Sequence, residues 1–442
     1  MNPPRFNATL RPHNVALPHE RYLDQSAGTR LITTPPKPGL RLVLVIPCHD
    51  EPDLPGALRH LAKCDPPLGQ AEIIVIINAS ANHLESVHEQ NRQSLGQAQD
   101  WLESRGDHWL PIHLLHLPDL PSRHAGVGLA RKLGMDEALR RLADVGQAEE
   151  GLILCFDADC RCTTNYFTGI ESHFAERPNC PGASLHFEHP LGQEEMEQMG
   201  FGAPGQALGQ AGFDGIAAYE LHLRYHVRVQ KWIGFPYAFQ TIGSAMAVRA
   251  WAYVKQGGMN RRHAGEDFYF LQKISWLGPI SELSTVTVFP SPRLSGRVPF
   301  GTGKAVGDYI ESGQQTTYPL QAYRDVEWLI VQANPLWESG RFSEPPPDSL
   351  GRFFGEEFIE SVVPEIRQNS TGPESYRKRF FRWFNAFRLM KYLNFSRDKI
   401  YGAIPVETAA RALLNEMGVA AENENTAELL RLYRQLDRAQ RN

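Results

Sequence analysis

Four short apolar runs, each followed by polar residues and then by helix-like sequence, constrain this chain more than any other feature. The runs are Leu42–Ile46, Glu72–Ile77, Ile112–Leu117 and Leu152–Phe156. Each has strand length, while Leu54–Lys63, Glu85–Ser104 and Leu129–Leu142 between them carry helical patterning. Strands that alternate with helices predict an α/β fold with a mostly parallel, Rossmann-like sheet flanked by helices. The runs are continuously apolar, so both faces of the sheet are expected to be covered. Ligands of such sheets bind beyond the carboxyl ends of the strands. The residues at those ends are Pro47-Cys48-His49-Asp50-Glu51, Asn78-Ala79-Ser80 and Asp157-Ala158-Asp159, and they are expected to converge on one rim.

At roughly 100–200 residues per domain, the 442 residues allow two or three domains. The stretch Pro35-Pro36-Lys37-Pro38-Gly39 cannot continue a helix or a central strand. It closes an irregular N-terminal arm over 1–39. The α/β domain follows over 40–305, with a helix at Glu220–Val229, a strand region at Ala238–Val248 and a helix at Asp267–Leu277 stopped by Gly278-Pro279. Beyond it lies a mainly helical region over 306–442, with a Pro-rich linker at Ser343–Ser349 and amphipathic helices at Ala409–Met417 and Ala427–Leu436.

The net charge of −5 is too close to neutral for a nucleic-acid-binding chain. No run approaches the roughly 18 apolar residues of a membrane span, and the first 40 residues lack the core of a signal peptide. A cytoplasmic location with reduced cysteines is expected. Cys155, Cys160, Cys162 and Cys180 do not match a zinc site, because one residue alone separates Cys160 from Cys162.

Asp157 and Asp159 are the most informative pair. In extended backbone, residues two apart point the same way, so both carboxylates can face one hard cation such as Mg²⁺ or Mn²⁺. Two ordinary turn aspartates are the alternative. Downstream, Val288–Ala305 mixes glycines, hydroxyls and the cations Arg293 and Arg297, a composition suited to closing over a diphosphate. Gly301-Thr302-Gly303-Lys304 lacks P-loop spacing. Gly126-Val127-Gly128 opens a helix but more often marks a tight turn. His186, His189 and His263 are candidates for completing a metal shell, although scattered histidines are more often simply hydrogen-bonded, and Trp232, Tyr237 and Phe239 for stacking on a sugar, with core packing the expected role.

The segment Ile46-Pro47-Cys48-His49-Asp50-Glu51 resembles the opening motif of family 2 glycosyltransferases. Gly126–Met135 with Phe156-Asp157-Ala158-Asp159 is similar to their third helix and D-x-D element. Ile242–Arg249, Gly257-Gly258-Met259 and Gly265-Glu266-Asp267 resemble their acceptor-side segment and Glu-Asp motif, in the same order across about residues 41–290. The resemblance implies a GT-A fold, a nucleotide-diphosphate-sugar donor, a divalent metal on Asp157 and Asp159, and inversion at the anomeric carbon. It places Pro47, Asp50 and Glu51 at the nucleotide, and Asn78 where the family carries a base-reading Asp. An amide offers both donor and acceptor to a base edge. Asp50 stands where the family has Asn. Gln272–Trp276 only superficially approaches the Gln-x-x-Arg-Trp of membrane synthases, since the Arg is missing.

Transfer to an acceptor hydroxyl needs a base, and Glu266 and Asp267 are both able to supply it. The family pattern assigns Asp267, leaving Glu266 to bind acceptor or orient its neighbour. The acceptor is expected to be a small molecule or a glycan. Two rival readings are a sugar nucleotidyltransferase and a catalytically silent sugar-nucleotide-binding or scaffold protein. The first expects a Gly-rich, cationic loop after the first strand, and Pro47–Pro55 contains no Gly, Lys or Arg. The basic aromatic segment Arg377–Lys391 offers peripheral membrane contact as an alternative to core packing, which is the expectation.

Overall fold

The computed structural model describes residues 16–26, 28–106, 108–201, 208–293 and 301–439. Its centre is an eight-stranded sheet formed by β1 (Leu40–Cys48), β2 (Gln70–Asn78), β3 (Ile112–Leu117), β4 (Leu152–Cys155), β5 (Arg161–Cys162), β6 (Gly182–Phe187), β7 (Met246–Arg249) and β8 (Ser281–Phe289), in the order β3-β2-β1-β4-β7-β6-β8-β5. The first four strands are parallel, with Leu44 of β1 opposite Ile73 of β2 and Leu154 of β4. β7 runs antiparallel to both β4 and β6, and β8 is parallel to β6. The chain leaves β1 toward β2 and β3, then returns on the other side of β1 as β4. That reversal opens a crevice between the carboxyl ends of β1 and β4.

Alternation along β1 explains why the predicted runs are apolar throughout. Leu42, Leu44 and Ile46 pack on one face with Leu54, Leu58 and Leu61 of α2 (Leu54–Ala62), whereas Val43 and Val45 face Met135, Leu139, Tyr253 and Phe270 on the other. The second face is covered by the helix over Val127–Asp144 and the short helix over Glu266–Ile274.

Three expectations are corrected. The arm contains a helix, α1 (Pro18–Ser26), whose buried Tyr22 hydroxyl bonds Asp136 at 2.7 Å and receives Lys132 at 3.0 Å. Burial of this one aromatic residue and its polar network hold α1 to the helices over Val127–Asp144 and Ala250–Lys255. The region Ala238–Val248 is loop until β7 begins at Met246, because Gln240–Ser244 turns over the crevice instead of pairing. The Pro-rich stretch before Asp348 is not a free linker, as Ser343 bonds the buried Gln332 side chain at 2.8 Å.

Beyond the sheet, the helices over Leu320–Ser339, Pro373–Trp383, Ala386–Ser396, Val406–Glu416 and Thr426–Ala439 form a second core. That core is built around the helix over Gly209–Trp232, whose Leu221, Tyr225 and Val229 it encloses. The basic aromatic segment serves it: Phe380, Phe381 and Phe384 are buried, and Arg388 covers the Trp383 ring at 3.8 Å. Among the described residues, no helix is long and apolar enough to cross a membrane.

This packing makes a measurable prediction. Phe380→Ala should destabilise the protein by about 3–5 kcal/mol in chemical denaturation, the range for a buried aromatic truncation. The unaltered chain should not co-sediment with anionic vesicles. Salt-reversible sedimentation would show that the segment meets lipid as well as the core.

Candidate active site

The crevice beyond β1 and β4 widens into a cavity of about 1140 Å³. Pro47, Glu51, Asn78, Asp157, Asp159, Glu266, Asp267 and Arg293 all line it, drawn from five separate parts of the sequence. Asp50 does not. Its backbone adopts φ +52° and its N–H bonds the Asn91 side chain at 2.9 Å, so it shapes the turn while its neighbours face the cavity. Arg297 lies outside the described residues.

The feature that sequence reasoning missed is Arg131. It sits in the first turns of α4, the Val127–Asp144 helix (α3 being Glu85–Ser104), and is buried. One guanidinium nitrogen donates to Asp157 Oδ1 at 2.5 Å and the other donates to Glu266. Glu266 is itself only 2 % exposed and is held in an internal ion pair with Arg131 at the edge of the cavity. Gly243 makes this possible, since a Cβ there would meet the Arg131 guanidinium at 2.5 Å. The available signal was a cation three residues after Gly126-Val127-Gly128, in a helix that also buries Lys132, Asp136, Glu137 and Arg141.

Gly265, at φ +68°, turns the chain so that Glu266 and Asp267 fall in the first turn of the following helix. Asp267 Oδ1 accepts the Phe268 N–H at 2.7 Å. Burial raises the Asp267 carboxyl above its ordinary value; Arg131 and the Phe268 and Gly243 N–H groups pull it down, and Asp157 adds to the rise. The net direction is upward, toward a better proton acceptor.

A second arginine, Arg293, also lines the cavity. Arg293 donates to Glu51 Oε1 at 3.0 Å, also reaches Glu51 Oε2, and contacts Asp159 Oδ2 at 3.2 Å. Burial opposes its charge, but Asp159 and Glu51 more than restore it. Asp157, Asp159 and Cys160 form the compact group able to hold a metal ion among the described residues, with ligand atoms within 4.8 Å of one another. The carboxylates suit a hard divalent cation, whereas burial pushes the Cys160 thiol well above its ordinary value and keeps it protonated. His189 and His263 line the cavity, but His189 is bonded to Glu220 at 3.0 Å and His263 to the Arg123 carbonyl at 2.9 Å. His186 is paired with Glu188 and does not reach it.

At the far end of β2, Asn78 is buried, and its side-chain oxygen has no hydrogen-bond partner. Its carbonyl accepts from Asn91 and meets His49 Nδ1 at 2.8 Å, and the His49 ring stands edge-on to His83 at 4.8 Å. Tyr237 and Phe239 line the cavity while also packing against the core, and Trp232 packs under Arg324.

The Arg131 bridge can be tested by stability alone. Arg131→Met should cost about 3–5 kcal/mol, because it strands buried Glu266 without its partner. Adding Glu266→Gln should recover part of that loss. A double variant no more stable than Arg131→Met would show that the pair is not coupled.

No protein-family model matches the sequence, and no curated protein matches it. Among solved structures, the chain is similar to S. aureus TarS 1–349 in complex with UDP-GlcNAc, at 14% identity over 90% of each chain with a TM-score of 0.35. It is also similar to the mannosyltransferase PcManGT from Pyrobaculum calidifontis in complex with GDP-Man and Mn2+, at 12% identity over 95% of this chain and 92% of that one, with a TM-score of 0.33. A mycobacterial protein follows at 13% identity, covering 63% of this chain and 79% of that one, with a TM-score of 0.31. At these values the function rests on the geometry of the site.

Proposed function

We propose that this chain is a glycosyltransferase that moves a sugar from a nucleotide-diphosphate donor to an acceptor hydroxyl with inversion. The observation that carries the reading is one cavity lined together by Asn78, Asp157, Asp159 and Asp267. Each has a task in that reaction. The partnerless Asn78 oxygen would accept an N–H of the base, beside the imidazoles of His49 and His83. Asp157 and Asp159 would hold Mn²⁺ or Mg²⁺, which supplies Lewis-acid stabilisation of the diphosphate when bound. Arg293, poised on Glu51 and Asp159, would exchange carboxylate contacts for phosphate oxygens.

Asp267 takes the proton from the acceptor hydroxyl as that oxygen attacks the anomeric carbon. The new bond is from acceptor oxygen to that carbon, and the bond broken joins it to the diphosphate, which leaves with the electron pair. A single displacement inverts the centre. Arg131 fixes the Asp157 and Glu266 carboxylates on either side of this chemistry, acting as a positioning residue.

Two variants and a pH profile test the reading. Asp159→Ala should abolish the dependence of nucleoside-diphosphate affinity on Mn²⁺ while the protein stays folded, as measured by calorimetry. Asp267→Asn should keep donor affinity and lose about 10²–10⁴-fold in turnover, the effect of removing a positioned base. If Glu266→Gln is the crippled variant and Asp267→Asn is nearly normal, the roles are reversed. Because the Asp267 carboxyl is raised, protonation should disable it at a higher pH than an ordinary Asp, near 3.9, would allow. Turnover should therefore fall as pH drops, with a midpoint above that value.

A further inference from the structure

The helix over Gly209–Trp232 presents one continuous stripe to the cavity: Tyr219, His222, Leu223, His226, Val227 and Gln230. The spacings i, i+3, i+4, i+7, i+8 and i+11 define a single helical face. At 1.5 Å per residue the stripe runs about 16 Å, longer than one sugar ring. Its first residue, Tyr219, shares the cavity with Asp267, and burial together with the Asp267 charge pushes its hydroxyl up to about 12.

Its two imidazoles are held in one geometry. They stack at 6.4 Å with an interplanar angle of 17°. His222 Nδ1 meets the Thr317 hydroxyl at 2.8 Å, and His226 Nδ1 meets the Tyr323 hydroxyl at 2.6 Å. With Nδ1 of each ring engaged by the helical region, Nε2 is the polar atom each ring offers to the cavity. Burial lowers His222 to about 4 and, with His222 itself adding to the effect, His226 to about 3, so both rings are neutral in ordinary buffers. A neutral imidazole hydrogen-bonds a hydroxyl but gives an anion no charge to pair with.

The facing wall comes from the helix over Ala386–Ser396. Phe387 and Met390 are 40% and 37% exposed, the exception in a segment whose other aromatics are largely buried, and both line the cavity. Phe387 continues an aromatic surface with Tyr269 at 5.6 Å. Two cations stand at this wall, each over a ring: Lys391 Nζ lies over Phe387 at 4.7 Å, and the Arg262 guanidinium over Tyr269 at 3.7 Å.

We infer that the space between His222 and His226 on one helix and Phe387 and Met390 on the other is the acceptor subsite, and that it takes an uncharged, hydroxyl-bearing acceptor longer than one sugar, with an apolar face or aglycone. The inference rests on the proposed transferase reading and assigns that reading its acceptor class. Neutral hydroxyls match the imidazoles and the Gln230 amide, and the apolar face of a sugar or aglycone matches the aromatic wall. A phosphorylated or carboxylated acceptor would find no charge in the imidazole stripe, and Lys391 and Arg262 already stacked on Phe387 and Tyr269.

The test uses the full chain with a nucleotide-sugar donor and three acceptor probes: a neutral disaccharide bearing an aryl aglycone, a sugar phosphate and a uronic acid. Binding of each probe is followed separately by saturation-transfer NMR without donor. The neutral aryl disaccharide is expected to bind and to accelerate donor consumption, with an acceptor KM independent of pH from roughly 5 to 8, because the imidazoles do not titrate there. His226→Phe should raise that KM about tenfold or more, appearing in KM and not in donor affinity, and His226→Gln, which keeps a neutral hydrogen-bonding group, should restore most of it. Phe387→Ala should weaken the aryl disaccharide more than the same sugar without its aglycone. Preference for the sugar phosphate or the uronic acid, or an acceptor KM unmoved by His226→Phe, overturns the subsite. Donor hydrolysis with no response to the neutral probe also overturns it while leaving the transferase reading standing. Glycoside binding that is lost in His226→Phe, in a protein that neither binds nor consumes any donor, sustains the subsite and overturns the transferase reading.

Discussion

A buried guanidinium between two carboxylates organises the site. Arg131 must be charged, and burial makes that charge costly unless both Asp157 and Glu266 are present to meet it. The same constraint acts on three separate elements: the helix over Val127–Asp144, the end of β4 and the start of the helix over Glu266–Ile274. None can shift without stranding a charge. The raised Asp267 carboxyl is a consequence, since burial acts on it while Arg131, shared with Asp157 and Glu266, offsets that burial only in part.

The helix over Gly209–Trp232 is the second organising element, because it belongs to both cores. Its Leu221, Tyr225 and Val229 pack into the helical region, and its opposite stripe lines the cleft. A buried charge cluster holds it in place. Burial alone would raise the Glu220 carboxyl, yet Arg434 and Arg224 hold it well below the usual carboxylate range. Arg434 comes from the last helix, so the end of the chain braces the wall of the cavity. The helical region thus acts on the cleft by positioning one wall and contributing another.

Much of the sheet was legible because strand length, continuous burial and strand-end polarity are local properties of the text. The runs ending at Ile46, Ile77, Leu117 and Phe156 correspond to β1 to β4, and the polar residues after three of them reach one crevice. The antiparallel half was less visible. β6 and β8 are short or mixed in polarity, and Ala238–Val248 reads as a strand although most of it turns over the cavity. Helix α1 was hidden for another reason: Tyr22 is its one buried residue, too weak a signal to show as a pattern.

The sequence by itself determined an α/β sheet with acidic and amide groups at its strand ends, because periodicity and composition over five to ten residues suffice for that. Tertiary structure alone decided which of those groups share a charge. Arg131 and Glu266 lie 135 positions apart, Arg293 and Glu51 242, and no local pattern encodes such pairs. It also decided that Glu266 is an internal partner, that Asp50 shapes a turn, and that Phe387 faces a cavity while Phe384 fills a core. Those outcomes depend on where the chain returns to itself, and that is settled only when both cores close around a common helix.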